Sequence, residues 1–179
     1  MLHIILIAIA VIVVLFLIIV AMQPADFRIT RSAAISATPE KVFPLVNVLK
    51  SWEIWSPWAK MDPNAKHVYE GPAAGIAAIM RWSGNRKVGV GVMTITESRP
   101  DELLRIKLDF LKPFKVTNIA EFTFQAQGGQ TLVTWSMSGE NNFMGKVFGL
   151  IINCDKMIGG DFEKGLAKMK WFVELASKK

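Results

Sequence analysis

The chain has 179 residues, of which 51% are hydrophobic, and it carries a formal net charge of +6. This length suits one ordinary domain, and the aromatic content is too high for a disordered chain. Two histidines and a single cysteine, Cys154, exclude an intramolecular disulfide, a cysteine-based zinc site and a histidine-rich metal site. Basic residues are interspersed with acidic ones rather than clustered with aromatic residues, so nucleic acid is not an expected partner.

The N-terminal segment carries no charged side chain before Asp26, and residues 4–22 form an unbroken apolar run. As a helix this run spans roughly 28 Å, close to the ~30 Å hydrocarbon core of a bilayer. A buried core helix would show a polar stripe, and a secretory signal would have a basic start and a small-residue cleavage site. Neither pattern is present, so residues 1–23 are predicted to be a retained transmembrane anchor.

The charges that follow this segment predict its orientation. Arg28, Arg31 and Lys41 lie within about 20 residues of its C-terminal end, and no lysine or arginine precedes it. The positive-inside rule then places the soluble part, residues 24–179, in the cytoplasm. We therefore expect a single-pass membrane protein whose mild positive charge faces anionic headgroups.

The soluble part begins with a predicted strand and helix. Residues 27–35 alternate between apolar and small or polar side chains, which is typical of a strand. Thr38-Pro39-Glu40 combines a capping hydroxyl, a proline and an acid, and predicts a helix that continues to Leu49. Residues 52–63, WEIWSPWAKMDP, contain three tryptophans and two prolines, which predict a short helical turn and a loop.

The hydrophobic period then changes to two, and later returns to a helical one. A weak strand at 66–70 and five further strands with short turns predict an antiparallel meander with one apolar face. From Phe143 the pattern is helical, with breaks expected near Asn153 and at Gly159-Gly160. This long amphipathic helix covers the apolar face, which gives an α+β domain. The five strands are predicted at residues 76–83, 88–98, 103–110, 114–125 and 130–140, and the apolar stripe of the helix is Ile158, Phe162, Leu166, Met169 and Val173.

The element order and several motifs resemble the START-like SRPBCC superfamily, in particular its polyketide cyclase/dehydrase branch. The resemblance extends from Asp26 to about Ser177. It implies a helix-grip fold, in which a curved antiparallel sheet around a long C-terminal helix encloses a pocket for hydrophobic ligands. Members include lipid-transfer domains, aromatase/cyclases and hydroxylase subunits, so the fold does not decide the function. The motifs that carry the resemblance are TPEKVFPLVN, WEIWSPWAKMDP, Gly71-Pro72, RWSGN and DFEKGLAKMK.

Four residues are the candidates for lining the implied pocket: Trp52, Trp55, Trp82 and Ile106. Trp52 and Trp55 either plug one end of the grip or stack on a planar or lipidic ligand at the pocket mouth. Trp58 has a further possible place in the membrane interface, which tryptophan prefers. No iron–sulfur spacing or facial triad is present, which argues against the hydroxylases, and no cofactor is expected.

Four polar residues have competing interpretations. Asn118 shares the parity of the apolar side chains of its strand, and an unpaired buried amide costs about 1–3 kcal/mol. A hydrogen bond to the backbone, an outward bulge and a ligand anchor therefore all stay open. Arg81 has the opposite parity to Met80 and Trp82 and is expected in solvent; an inward arginine would instead favour a ligand with a carboxylate or phosphate. His67 and Cys154 lack partners at a telling spacing, so structural or surface roles are expected.

Three functions fit these patterns. The first is a membrane-tethered domain that binds a hydrophobic or lipid-like small molecule. The second is a cyclase or dehydratase acting on a polyketide-like substrate, which needs a general acid or base inside the cavity. The third is an envelope or assembly module whose interior is filled by its own side chains. The sequence shows no catalytic motif and favours the binding module.

Overall fold

Seven strands and six helices make up the described part of the chain, residues 1–176, in the computed structural model. Two 3-10 turns, Leu49–Ser51 and Pro57–Lys60, flank the fourth helix. The last three residues of the predicted domain, 177–179, lie outside the described part. The strands are β1 (Asp26–Ile35), β2 (Lys66–Glu70), β3 (Ile79–Ser83), β4 (Val90–Arg99), β5 (Leu103–Lys112), β6 (Val116–Gln127) and β7 (Gln130–Glu140). The α-helices are α1 (Leu2–Ala21), α2 (Pro39–Val42), α3 (Pro44–Asn47), α4 (Trp52–Trp55), α5 (Phe143–Ile151) and α6 (Cys154–Ala176).

All seven strands pair antiparallel in one sheet, in the order β1-β7-β6-β5-β4-β3-β2. The meander is therefore confirmed, and β1 adds to its far edge beside β7. The register brings the start of β1, the end of β7, the β5–β6 turn and the β3–β4 loop to one end of the sheet. We call this the proximal end, because β1 follows α1 after only residues 22–25; the β6–β7 turn lies at the opposite, distal end.

The long helix α6 covers the apolar face of the sheet along β1. Four of the five predicted stripe residues are no more than 5% exposed, and Ile158 is half-buried. The helix-grip architecture is thus confirmed, since the core forms between one face of the sheet and one stripe of the helix. The four buried stripe residues are Phe162, Leu166, Met169 and Val173.

The predicted break at Gly159-Gly160 is wrong, because α6 runs without interruption through both glycines. Gly159 lies where a side chain would collide with the guanidinium of Arg31 from β1. That guanidinium binds two acids of the helix, with Nε 2.7 Å from Glu163 and Nη2 2.9 Å from Asp155. The glycine therefore admits a strand-to-helix ion pair rather than ending the helix. The break near Asn153 is confirmed, between α5 and α6.

Two predicted elements are shorter or more divided than expected. The helix from Thr38 to Leu49 is divided into α2 and α3, because Pro44 lacks the N–H that would continue the first of them. The strand predicted from residue 76 starts only at Ile79, since Gly75 and Ala77 have φ of 78° and 67°. Such left-handed residues turn the chain before it can pair as a strand.

The N-terminal helix α1 stands apart from this core. It is long and apolar enough to cross a membrane, a property that a signal sequence near the N-terminus shares. Apart from Val20, each of its residues is exposed. Its one helical neighbour among the stronger contacts of the described residues is α5, at the proximal end.

The Glu174 carboxylate ties the end of α6 to the end of β1 and predicts a pH effect. It accepts hydrogen bonds from the backbone N–H of Ser36 at 2.9 Å and from Nζ of Lys170 at 3.0 Å, which lowers its pKa to about 2. A lowered folded-state pKa stabilises the fold fully above the ordinary value of 4.5 and progressively less as the pH falls towards 2. We expect Glu174→Gln to lower the unfolding midpoint above that ordinary value, with a difference that closes in strong acid.

Denaturant unfolding over a pH series measures this difference. Glu140→Gln, at the other end of the sheet, removes the same charge from an exposed site and serves as the control. A Glu174→Gln deficit that stayed constant from neutral to strongly acidic pH would contradict the prediction.

Candidate functional site

A cavity of about 280 Å³ lies between the apolar face of the sheet, residues 52–63, which we call the tryptophan segment, and α6. Its wall is mainly aromatic, aliphatic and methionine side chains, which is the usual lining of a small-molecule site. A few polar side chains complete the wall, and Glu53 and Lys87 among them are exposed, so the cavity reaches the surface on that side. The lining residues are Trp52, Glu53, Ser56, Trp58, Ala59, His67, Met80, Trp82, Lys87, Val88, Met93, Leu108, Phe110, Ala120, Trp135, Met137, Ile158 and Phe162.

Backbone hydrogen bonds hold three of the tryptophans in place. The indole N–H of Trp52 donates to the carbonyl of Val46 at 3.0 Å, and that of Trp55 donates to Leu45 at 2.8 Å. The indole of Trp82 donates to the carbonyl of Val88 at 3.1 Å. Each large ring therefore has its polar atom satisfied by the fold and presents an apolar surface to its neighbours.

An aromatic stack separates the cavity from the distal core. Trp135 of β7 stacks on Phe162 of α6 with ring centroids 4.0 Å apart, and on Phe122 of β6 at 4.8 Å. Trp55 and Trp58 meet the Trp135 ring edge-on at 5.5 and 5.7 Å. These rings join the sheet, the tryptophan segment and the long helix in one packed aromatic group.

The Trp82-Ser83-Gly84-Asn85 turn is fastened to the tryptophan segment by Asp62. The buried Asp62 carboxylate accepts from the backbone N–H of Asn85 at 2.6 Å and of Asn64 at 3.0 Å. Across the sheet from Trp82, a side chain at Gly91 would collide with the indole ring. Two of the five motifs that carry the family resemblance, WEIWSPWAKMDP and RWSGN, are therefore structural supports of the cavity wall.

Titratable groups line the outer part of the cavity. Glu53 is exposed and accepts a hydrogen bond from the Tyr69 hydroxyl at 2.7 Å. Partial burial and the nearby Glu53 carboxylate raise the pKa of Tyr69 above its ordinary value, so the phenol stays protonated. His67 is half-buried in the wall and Lys87 is exposed. His67 thus lies at the cavity, where the sequence suggested only a structural or surface role.

Two buried polar atoms have no hydrogen-bond partner among the described residues, Asn118 Oδ1 and Trp135 Nε1. The interior position of Asn118 follows its strand parity, and its amide makes one weak contact, Nδ2 to Sδ of Met137 at 3.9 Å. It fits closely against Gly139 of β7, where a side chain would collide with its Oδ1. Trp135 differs from Asn118 in that its side chain lines the cavity.

The four candidate lining residues occupy two different environments. Trp52 and Trp82 lie in the cavity wall. Trp55 and Ile106 have no exposed surface and are packed in the core outside the described lining. Trp58 is half-buried, lines the cavity and contacts Phe162, and its alternative place in a membrane interface stays a prediction. Arg81 is exposed and pairs with Glu70 at 2.9 Å.

Sequence reasoning did not single out most of the wall. Met93, Ala120 and Met137 have the inward parity of their strands, which identifies a face without showing where that face is left uncovered. Trp135 also has the inward parity of its strand, but only the structure shows that it stacks between Phe122 and Phe162. Strand parity identifies which residues face the interior, whereas the depth at which α6 lies over the sheet determines which of them line the cavity.

The curved seven-stranded antiparallel sheet, the long C-terminal helix and the apolar cavity between them define a helix-grip domain of the SRPBCC superfamily. Residues 26–174 match the family described as polyketide cyclase / dehydrase and lipid transport, and the chain belongs to that family. None of the curated proteins compared matches the chain.

Solved structures of similar fold have low sequence identity to this chain. Protein CV1439 from Chromobacterium violaceum is 15% identical, with a TM-score of 0.59, and the match covers 85% of this chain and 99% of that one. Protein MLL2253 from Mesorhizobium loti is also 15% identical, with a TM-score of 0.60, and the match covers 83% of this chain and 97% of that one. Ara h 8.0201 is 11% identical, with a TM-score of 0.55, and the match covers 83% of this chain and 97% of that one. These similarities establish the fold and leave the ligand to be argued from this chain.

Proposed function

We propose that the chain is a membrane-anchored binding module that takes a hydrophobic or lipid-like small molecule into the cavity between sheet and helix. The observation that carries this proposal is the apolar wall of the cavity of about 280 Å³. Small-molecule sites span roughly 300–1,000 Å³, so this one suits a single acyl chain or a small ring system better than a whole diacyl lipid. Trp52, Trp58 and Trp82 supply flat surfaces for such a ligand.

Polar side chains at the mouth of the cavity favour an amphipathic ligand over a pure hydrocarbon. Glu53 and Lys87 line the cavity where it reaches the surface, and both are exposed. A ligand whose apolar part filled the cavity would keep its polar group beside these charged side chains and in water.

The anchor belongs to the same proposal. Residues 1–23 form the membrane span and residues 24–179 the binding domain, with the domain on the cytoplasmic side as the charges after the span favour. Support comes from the exposure of α1 along its apolar length, since such a helix is stable where lipid surrounds it. A span beside the cavity would keep the domain next to a reservoir of apolar ligands.

Extraction of the purified domain tests ligand binding. Residues 24–179 contain the whole hydrophobic core cluster, so they suit expression without α1. We expect native and small-molecule mass spectrometry to find a reproducible co-purified amphipathic mass, and the delipidated domain to bind a fluorescent fatty acid. A clean domain that also ignored a panel of single-chain lipids would refute the binding proposal and favour the assembly module.

The second candidate function is an enzyme of the cyclase or dehydratase type. It is supported by the position of His67 and Glu53 in the cavity wall. Both side chains are able to move protons, which such chemistry requires. If the chain is an enzyme, His67→Gln and Glu53→Gln lower turnover of a polyketide-like substrate while the affinity for that substrate persists. A screen in which neither change affected turnover would remove this candidate.

A further inference from the structure

The proximal end of the domain carries a dense group of exposed apolar side chains. The helix α5 has no buried residue, although its sequence, FMGKVFGLI, is mostly apolar. Beside it, Phe114 of the β5–β6 turn is 54% exposed and contacts Phe148 of α5, with ring centroids 6.1 Å apart. We call the group the proximal apolar patch: Leu111, Phe114, Phe143, Met144, Phe148, Leu150, Ile151, Ile152 and Met157, each at least 39% exposed.

This patch is continuous with α1. The helices α5 and α1 are in contact, and the backbone N–H of Asn141, just before α5, donates to the carbonyl of Ala25 at 2.6 Å. Residues 22–25 alone separate α1 from β1, and four extended residues span at most about 14 Å. The patch and the apolar helix therefore share one side of the molecule.

Basic side chains belong to the same elements as the patch and to the neighbouring β3–β4 loop. They are Arg86 and Lys87 of that loop, Lys112 at the end of β5, Lys115 of the β5–β6 turn, Lys146 of α5 and Lys156 of α6. None of them forms an ion pair within the described part of the chain. An apolar face with a rim of unpaired positive charge matches a bilayer surface, whose acyl boundary accepts the apolar groups while its anionic headgroups attract the cations.

We propose that the proximal apolar patch rests in the interface of the bilayer that holds α1, with anionic phospholipid headgroups against the basic rim. This inference depends on the proposed anchor and adds a second membrane contact to it. One span alone lets a domain rotate and tilt freely, whereas a span and a patch together fix its orientation.

The fixed orientation has a consequence for the cavity. Phe110, Val88 and Ile158 line the cavity and belong to the same end as the patch. Phe110 precedes Leu111 and Ile158 follows Met157, so this part of the cavity wall and the apolar patch lie at the same end of the fold. A ligand would then have only a short path between the bilayer and the cavity.

Site-specific fluorescence in vesicles tests the membrane contact with the full chain. Because Cys154 is the single cysteine, Cys154→Ser gives a background for Phe148→Cys and Ile151→Cys, at positions 40% and 77% exposed. Gln127→Cys, exposed at the distal end, is the matched control. Each variant is labelled with an environment-sensitive dye and reconstituted in phosphatidylcholine–phosphatidylglycerol vesicles that contain a spin-labelled lipid.

We expect labels at 148 and 151 to be quenched several-fold more than the label at 127, and to emit at shorter wavelength. Quenching at 148 and 151 no greater than at 127, in a chain that floats with the vesicles, would overturn the proposal. A chain that fails to float would overturn the anchor and this inference together. Uptake of the fluorescent fatty acid, measured on the same preparations, tests the cavity separately: uptake without quenching removes only the membrane contact.

Discussion

We expect the Trp135→Ala variant to lose about 3–5 kcal/mol of its free energy of unfolding, the loss typical of a fully buried large aromatic side chain. Trp135 is 2% exposed and lies between Phe162 of the long helix and Phe122 of the sheet. Its removal leaves a void in the stack that joins β7 to α6, and rings held on both sides of that void cannot move far enough to close it. Urea unfolding followed by circular dichroism measures the loss.

Two further variants separate the causes of this loss. Trp171→Ala removes the same side chain from an exposed position of α6, 63% accessible, and is expected to change stability by no more than about 0.5 kcal/mol. Trp135→Phe keeps a stacked ring and removes the unpaired N–H, so it should cost clearly less than Trp135→Ala. A phenylalanine variant as unstable as the alanine one would contradict the expectation that a stacked ring at this position preserves most of the stability.

The second large effect is expected on ligand binding. Ala120 of β6 lies in the cavity wall between Ile106 of β5 and Met137 of β7. In Ala120→Phe the added ring projects into the cavity, where empty volume receives it. We expect affinity for the fluorescent fatty acid to fall at least about tenfold, which is about 1.4 kcal/mol of binding free energy. Fluorescence titration of the delipidated domain measures it.

Ala126→Phe is the matched control for this change, since Ala126 lies on the same strand but is exposed near the distal turn. It should bind the fatty acid as the parent domain does. Both variants should unfold cooperatively. Ala120→Phe should lose no more free energy of unfolding than the roughly 1–3 kcal/mol that overpacking typically costs. Unchanged affinity in a folded Ala120→Phe domain would place the ligand outside this cavity.

The proposed function raises the question of how an apolar ligand would reach a protein interior. Burial would lower the free energy of such a ligand relative to water, and the same effect would make its escape through water slow. The proposed contact between the proximal end of the fold and a bilayer would shorten the path through water for both entry and exit. The four residues between α1 and β1 are short enough to hold these parts together.

The sequence predicted those parts of the fold that a local period controls. Alternation with a period of two predicted the meander, and the helical period predicted the buried face of α6, whereas the position of Asn118 stayed open until the fold placed it inside. The apolar length of α1 and the helix break near Asn153 follow from local composition in the same way. These features depend on neighbours within a few residues, which a sequence displays directly.

Tertiary structure decided the rest, because distance across the fold is absent from a local pattern. The helix was expected to break at Gly159, yet the guanidinium of Arg31, distant in sequence, uses the space that this glycine leaves. Trp55 and Trp52 are near neighbours of one motif, and only the approach of α6 and β7 puts the first in the core and the second in the cavity wall. The sequence by itself determined which faces are apolar, whereas packing between separate elements determined which apolar surface is filled, which encloses a cavity and which stays exposed beside α1.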